Sequence, residues 1–83
     1  MSLEREPVVL IVDDEREVVE MYRLYLSEEY DVRLATGGEE ALDKLDPLVD
    51  VVLLDRRMPD LSGDEGLERI RAQGLDCRVV MVT

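Results

Sequence analysis

Pro7-Val-Val-Leu-Ile-Val12 and Asp50-Val-Val-Leu-Leu-Asp55 decide the fold. Each is a run of aliphatic, largely β-branched residues with no polar residue inside it. A strand with one wet face alternates apolar and polar side chains, and these two do not. They read as strands covered on both faces, the pattern of a parallel sheet with helices on either side.

The segments between them supply the helices. Val18, Tyr22, Tyr25 and Leu26 fall at i, i+4, i+7 and i+8, one stripe of a helix over about Glu15 to Ser27, with Asp14 as N-cap and Glu17 three residues on. Tyr30–Ala35 alternates Val32 and Leu34 with Asp31 and Arg33, which suits an edge strand. Thr36-Gly-Gly-Glu39 has the form of a capping box and opens a helix from about Gly38 to Leu45, with Ala41, Leu42 and Leu45 inward and Pro47 beyond its end. A loop from Arg56 to Ser62 follows the second buried strand. Ser62-Gly-Asp-Glu65 is another capping box, and its helix turns Leu67 and Ile70 inward and stops at Gly74. Arg78-Val-Val-Met-Val-Thr83 is the fourth strand. Strand and helix therefore alternate from the first strand to the fourth, with connections of parallel-sheet length, which makes this an α/β chain with right-handed crossovers.

Composition narrows the function. The chain has 83 residues, enough for one core and no second domain. Hydrophobic residues at 46% and charged residues at 37% are a globular balance. No apolar run approaches the ~20 residues of a membrane span, and no basic-then-apolar leader is read at the start. One cysteine, Cys77, has no internal disulfide partner, which fits a reducing, cytoplasmic setting. It precedes a strand with no histidine in the chain, and reads as inert. Asp and Glu number 21 against 10 Lys and Arg, a net charge of -11, so direct nucleic-acid binding by this chain is not expected. Lys44 is the only lysine. An acidic, lysine-poor balance suits work in strong salt, and GC-rich coding explains it equally well.

The carboxylates at strand ends need a reason. In open parallel sheets, ligands bind beyond the carboxyl ends of the strands, where strand order reverses. Asp13 and Asp14 follow the first buried strand and Asp55 closes the second. If those strands are neighbours, all three acids converge. Like charges there raise one another's pKa unless a cation joins them, and Mg²⁺, a hard cation wanting about six oxygens, is the natural one. Thr83 closes the fourth strand, where its hydroxyl is placed to donate to an oxyanion on Asp55. The plainer reading is that Asp14 caps a helix and Asp55 ends a strand. Tyr22 and Tyr25 read as core. Arg56 and Arg57 read as solvated charge.

Leu10-Ile-Val-Asp-Asp-Glu15, Val51-Val-Leu-Leu-Asp55, Met58-Pro-Asp-Leu-Ser-Gly63 and Val79-Val-Met-Val-Thr83, in this order and at these separations, resemble the receiver domain of two-component response regulators. The resemblance spans residues 7 to 83. It implies a flavodoxin-like, doubly wound parallel sheet of strand order 2-1-3-4-5. Here it would comprise the N-terminal two-thirds of that domain, with residues 1–6 as a leader and without the fourth helix, fifth strand and fifth helix.

The resemblance also implies roles. Asp55 would be the phosphoacceptor, taking a phosphoryl group from a histidine kinase. Asp13 and Asp14 would bind Mg²⁺ with Asp55 and the backbone carbonyl of Arg57. Thr83 would be the switch hydroxyl that turns towards the phosphoryl oxygen, and the Met58–Gly63 loop would chiefly shape the site. The phosphorylation state would pass to an output domain, commonly transcriptional. The family's lysine at the end of the fifth strand has no counterpart before Thr83, and Lys44, on the second helix, cannot replace it. Two other classes compete. One is a receiver-like interaction module that never takes phosphate. The other is a haloacid-dehalogenase-type phosphotransferase, which needs a second Asp two residues after the nucleophile, where this chain has Arg57. The fourth strand, Val79–Val82, carries no charge and would lie at an outer edge, so a homodimer through it is a further expectation.

Overall fold

Val8–Val12, five consecutive apolar residues, can be a strand only if something covers both of its faces, and in the computed structural model every one of them is buried. The structure describes residues 6–55, 63–74 and 76–82. The elements are β1 (Val8–Val12), α1 (Arg16–Leu26), β2 (Asp31–Ala35), α2 (Gly38–Lys44), β3 (Val49–Asp55), α3 (Gly63–Ala72) and β4 (Arg78–Val82). All pairings are parallel and the sheet order is β2-β1-β3-β4. This is the expected doubly wound arrangement, with β1 and β3 adjacent at the centre.

Pleating sends alternate side chains to opposite faces. Val8, Leu10 and Val12 join Val49, Val52, Leu54, Ala41 and Ile70 in a layer under α2 and α3. Val9 and Ile11 meet Val19 of α1 on the other face, flanked by Tyr22, Leu26, Val32 and Leu34. Among the described residues, β1 is the one strand buried throughout. β3 is less so: Val52 and Leu54 are buried, whereas Val51 and Leu53 are half-buried, because α1 lies over β1 and β2.

The β1–β3 ladder contains a feature the apolar pattern did not show. Val8 pairs with Val49 and Val9 with Val51, so Asp50 is an extra residue bulged out of the ladder. A bulge disturbs the local hydrogen bonding, and here the bulged residue's own side chain makes the repair: Asp50 Oδ2 accepts the Val8 N–H at 2.8 Å. The bulge also restores the parity that puts Val49 and Val52 on the same face.

Three local expectations are corrected. On α1 the buried residue is Val19, and Tyr25 is 78% exposed; the inward stripe runs through Val19, Tyr22 and Leu26. The N-cap of α1 is Glu15, with no side-chain cap, and Asp14 does not serve. At α2, the reaching carboxylate is Glu40, which accepts from Thr36 N at 2.7 Å and Thr36 Oγ1 at 3.1 Å. With Gly37 as N-cap, Glu40 rather than Glu39 stands at the third helical position. Glu39 instead pairs with Arg69 Nη1 at 2.7 Å, tying α2 to α3. α3 ends as expected, with Gly74 at φ 71° and its N–H donating to the Arg71 carbonyl. Ser62 of the second capping box lies outside the described residues.

Candidate functional site

The sheet order creates one crevice of interest. From β1 the chain crosses to β2 on one side, and β3 lies on the other, so strand order reverses between them and a cleft lies beyond the carboxyl ends of β1 and β3. Asp13 follows β1 directly, held by its N–H to the Ala35 carbonyl at 3.1 Å, the last rung of the β1–β2 ladder. Asp55 is the last residue of β3 and is in register with Val82. Each of Asp13, Asp14 and Asp55 offers a carboxylate oxygen, and these atoms lie within 4.8 Å of one another. Asp13 and Asp55 are half-buried and Asp14 is exposed.

Asp13 also organises the turn into α1. Its Oδ1 accepts the Glu15 N–H at 2.9 Å, an Asx turn that starts the helix in place of a side-chain cap. The Asp13 carboxyl is pushed above its ordinary range. Burial is the largest cause, and the negative charges of Asp55 and Asp14 and a carboxyl–carboxyl hydrogen bond with Asp14 add to it; the Glu15 N–H acts the other way. No lysine or arginine lines this cleft among the described residues. Three carboxylates whose oxygens gather this closely favour a cation among them.

Glu15, Val18, Tyr22 and Val82 complete the wall. These were not anticipated as site residues, and Tyr22 had been expected only in the core. It does both, packing on the α1-side layer while flanking the cleft. The signal was present: Glu15, Val18 and Tyr22 sit at i, i+3 and i+7 and so share a helix face with the loop that carries Asp13 and Asp14. Arg56, Arg57, Thr83 and all but the last residue of the Met58–Gly63 loop lie outside the described residues. Cys77 is half-buried at the opposite end of the sheet, and burial, followed by the charge of Asp76, pushes its thiol up. That is the environment of an unreactive thiol.

Comparison with known proteins points one way. A family profile for the response regulator receiver domain matches residues 9–83. The chain is 57% identical over 79 residues to a Haloferax volcanii protein provisionally named a transcriptional regulator, covering 94% of this chain and 14% of that protein. It is 36% identical over 76 residues to the response regulator SaeR of Staphylococcus epidermidis, covering 90% of this chain and 33% of SaeR. The chain thus spans a third or less of the length of these two relatives. Among solved structures, a CheY-like receiver domain from Methanospirillum hungatei superposes with a TM-score of 0.89 at 30% identity, over 95% of this chain and 65% of that one. The chemotaxis protein CheY4 of Vibrio cholerae superposes with a TM-score of 0.84 at 30% identity, over 93% of this chain and 68% of that one. A parallel sheet of order β2-β1-β3-β4, acids gathered at its central carboxyl end and this profile agree: the chain belongs to the response regulator receiver family.

Proposed function

We propose that this chain is the phosphoacceptor module of a two-component response regulator, with Asp55 as the residue that takes the phosphoryl group. The observation that carries the reading is the convergence of one oxygen each from Asp13, Asp14 and Asp55 within 4.8 Å at the carboxyl end of β1 and β3. Asp55 occupies the position from which a carboxylate oxygen can attack phosphorus: it ends a central strand and faces the cleft. The new bond joins that oxygen to phosphorus, and the phosphorus–nitrogen bond of a kinase phosphohistidine breaks, with the imidazole leaving. The module is thus an acceptor of the group rather than an enzyme acting on a separate substrate.

The donor set fits Mg²⁺. Carboxylate oxygens suit a hard cation that keeps several waters, and such a cation would relieve the repulsion from Asp55 and Asp14 that adds to burial in raising Asp13. Asp13, Asp14 and Asp55 would hold it, with the Arg57 carbonyl as a further oxygen. Bound there, the ion would supply charge neutralisation of the acids and of the incoming phosphoryl oxygens. Asp13 positions the group by anchoring the turn into α1, and Glu15, Val18 and Tyr22 shape the approach. Thr83 is read as the hydroxyl that meets the phosphoryl oxygen. The signal would pass to an output domain, and the transcriptional-regulator name of the Haloferax volcanii relative favours a transcriptional one. No helix among the described residues is long and apolar enough to cross a membrane, in keeping with a cytoplasmic partner of a histidine kinase.

Incubation with acetyl phosphate and Mg²⁺, followed by intact mass, tests the reading. The wild-type chain should gain one phosphoryl group and the Asp55→Asn variant none. Equal uptake by both would show that Asp55 is not the acceptor.

A further inference from the structure

α1 and α2 are started in different ways. α2 is started from within: Glu40, at its third position, reaches back to Thr36 N and Thr36 Oγ1, so the carboxylate that secures the helix is its own. α1 has no side-chain cap at Glu15. Its first turn hangs on the backbone of that one residue. The Glu15 carbonyl accepts from Val18 N at 3.0 Å and from Val19 N at 3.3 Å, and the Glu15 N–H donates to Asp13 Oδ1 at 2.9 Å. Val19 is the buried residue that seats α1 against Val9 and Ile11 of β1. The carboxylate that starts α1 is therefore one of the three that converge on the cleft.

We propose that the Glu15 backbone N–H is a positioning group for the cation site: by holding Asp13 Oδ1 it commits the other oxygen of that carboxylate to the cation, so that cation binding and the first turn of α1 stabilise each other. The inference rests on the reading of Asp13, Asp14 and Asp55 as the cation's ligands. The backbone of Asp13 is pinned to β2 by its N–H to the Ala35 carbonyl at 3.1 Å, which leaves the rotation of its side chain. The Glu15 N–H removes that rotation before the ion arrives, and so lowers the ordering cost of binding. A cation on the second oxygen restrains the same rotation from the other side, and so protects the bond to Glu15. The two effects are one coupling and are equal by linkage. One effect opposes them. The amino end of a helix favours negative charge, part of which a cation offsets. Three carboxylates and one divalent ion still leave negative charge there, so the helix end keeps a favourable neighbour. Occupancy of the cleft is thereby passed to the helix whose Val18 and Tyr22 wall it.

Amide hydrogen exchange of the full chain with and without Mg²⁺, read residue by residue, tests this, and titration calorimetry on the same samples gives the dissociation constant of the ion. At ten times that constant the Glu15, Val18 and Val19 amides should exchange about tenfold more slowly, the limit reached when the opened turn does not hold the ion. The Ala41 amide, which opens α2 by donating to the Gly37 carbonyl, should be unmoved, because first turns open locally. Asp13→Asn keeps an oxygen for the Glu15 N–H and loses the charge. It should leave the metal-free rates of the three amides near those of the wild type and abolish their slowing by Mg²⁺. Asp13→Ala loses both, and its first-turn amides should exchange faster without any metal. Absence of binding heat, or binding indifferent to Asp55→Asn, overturns the cation site and the inference with it. Binding that depends on Asp55, while the Glu15, Val18 and Val19 amides keep their metal-free rates, quicken, or slow no more than Ala41, overturns the positioning role alone.

Discussion

Asp50 and Asp55 stand five residues apart on one strand and do opposite things. Asp50, near the amino end of β3, spends its carboxylate on the backbone: it fills the gap its own bulge opens by accepting the Val8 N–H. Asp55, at the carboxyl end, meets two other acids across the cleft. The contrast extends to their neighbours. Asp46, just before β3, is held below the ordinary carboxylate range, first by the Arg33 guanidinium and then by the Leu48 N–H. Asp13, past the other end of the sheet, is pushed above it by burial and by Asp55 and Asp14. Acids at the amino end stabilise the fold. Asp13, at the carboxyl end, sits in a conflict of burial and like charge, and such a local conflict is where a function is expected.

The comparison can be broken most decisively by phosphoryl uptake. Asp55→Asn should lose all labelling by acetyl phosphate, whereas Asp50→Asn should keep it; labelling lost equally in both folded variants would erase the distinction. Stability should rank the two the other way. Asp50→Ala strands the buried Val8 N–H and should cost about 1–3 kcal/mol in urea unfolding, while Asp55→Asn in metal-free buffer should be neutral or mildly stabilising because it removes a repelling charge.

Divalent cation should act at one end only. At ten times its dissociation constant, Mg²⁺ should add about 1.4 kcal/mol to unfolding stability. Asp13→Asn should remove most of that gain, and Asp46→Asn should leave it intact; calorimetric melts with and without Mg²⁺ read both.

The smallest effect is a difference of sign with pH. Asp46 has a depressed folded pKa, so its contribution is present above the unfolded pKa and lost as pH falls through the folded value. Asp13 has a raised folded pKa, so the folded state holds the proton more tightly. Its penalty is absent in acid and develops as pH rises from the unfolded value through the folded one. In metal-free buffer, Asp46→Asn should flatten the loss of stability on the acid side, and Asp13→Asn should flatten the decline just above the ordinary carboxylate range. Urea titrations across pH that moved in the same direction for both variants would refute the assignment.

Several features were already legible in the order of residues. The unbroken aliphatic runs at Val8–Val12 and Val51–Leu54 call for two covered faces, and their alternation with helical segments makes that a parallel sheet between helices. Chain connectivity then places Asp13, Asp14 and Asp55 at the carboxyl ends of strands, whatever the side-chain details. Adjacency was another matter. That β1 and β3 are neighbours came into the reading through family resemblance, and the three acids form a cluster only because of it.

Tertiary structure alone decided the rest, because it depended on which element covers which. Helical periodicity defines a stripe but not its rotation to within one residue, so Val19 rather than Tyr25 is buried where α1 crosses β1 and β2. Glu39 and Glu40 were equal candidates until Gly37 took the N-cap, which put Glu40 over Thr36 and freed Glu39 to reach Arg69. The bulge at Asp50 left no mark on an apolar pattern, since one inserted residue shows only against the partner strand it fails to match. Local sequence sets what each segment can bury. Long-range register sets what it meets, and register belongs to pairs of strands rather than to either one.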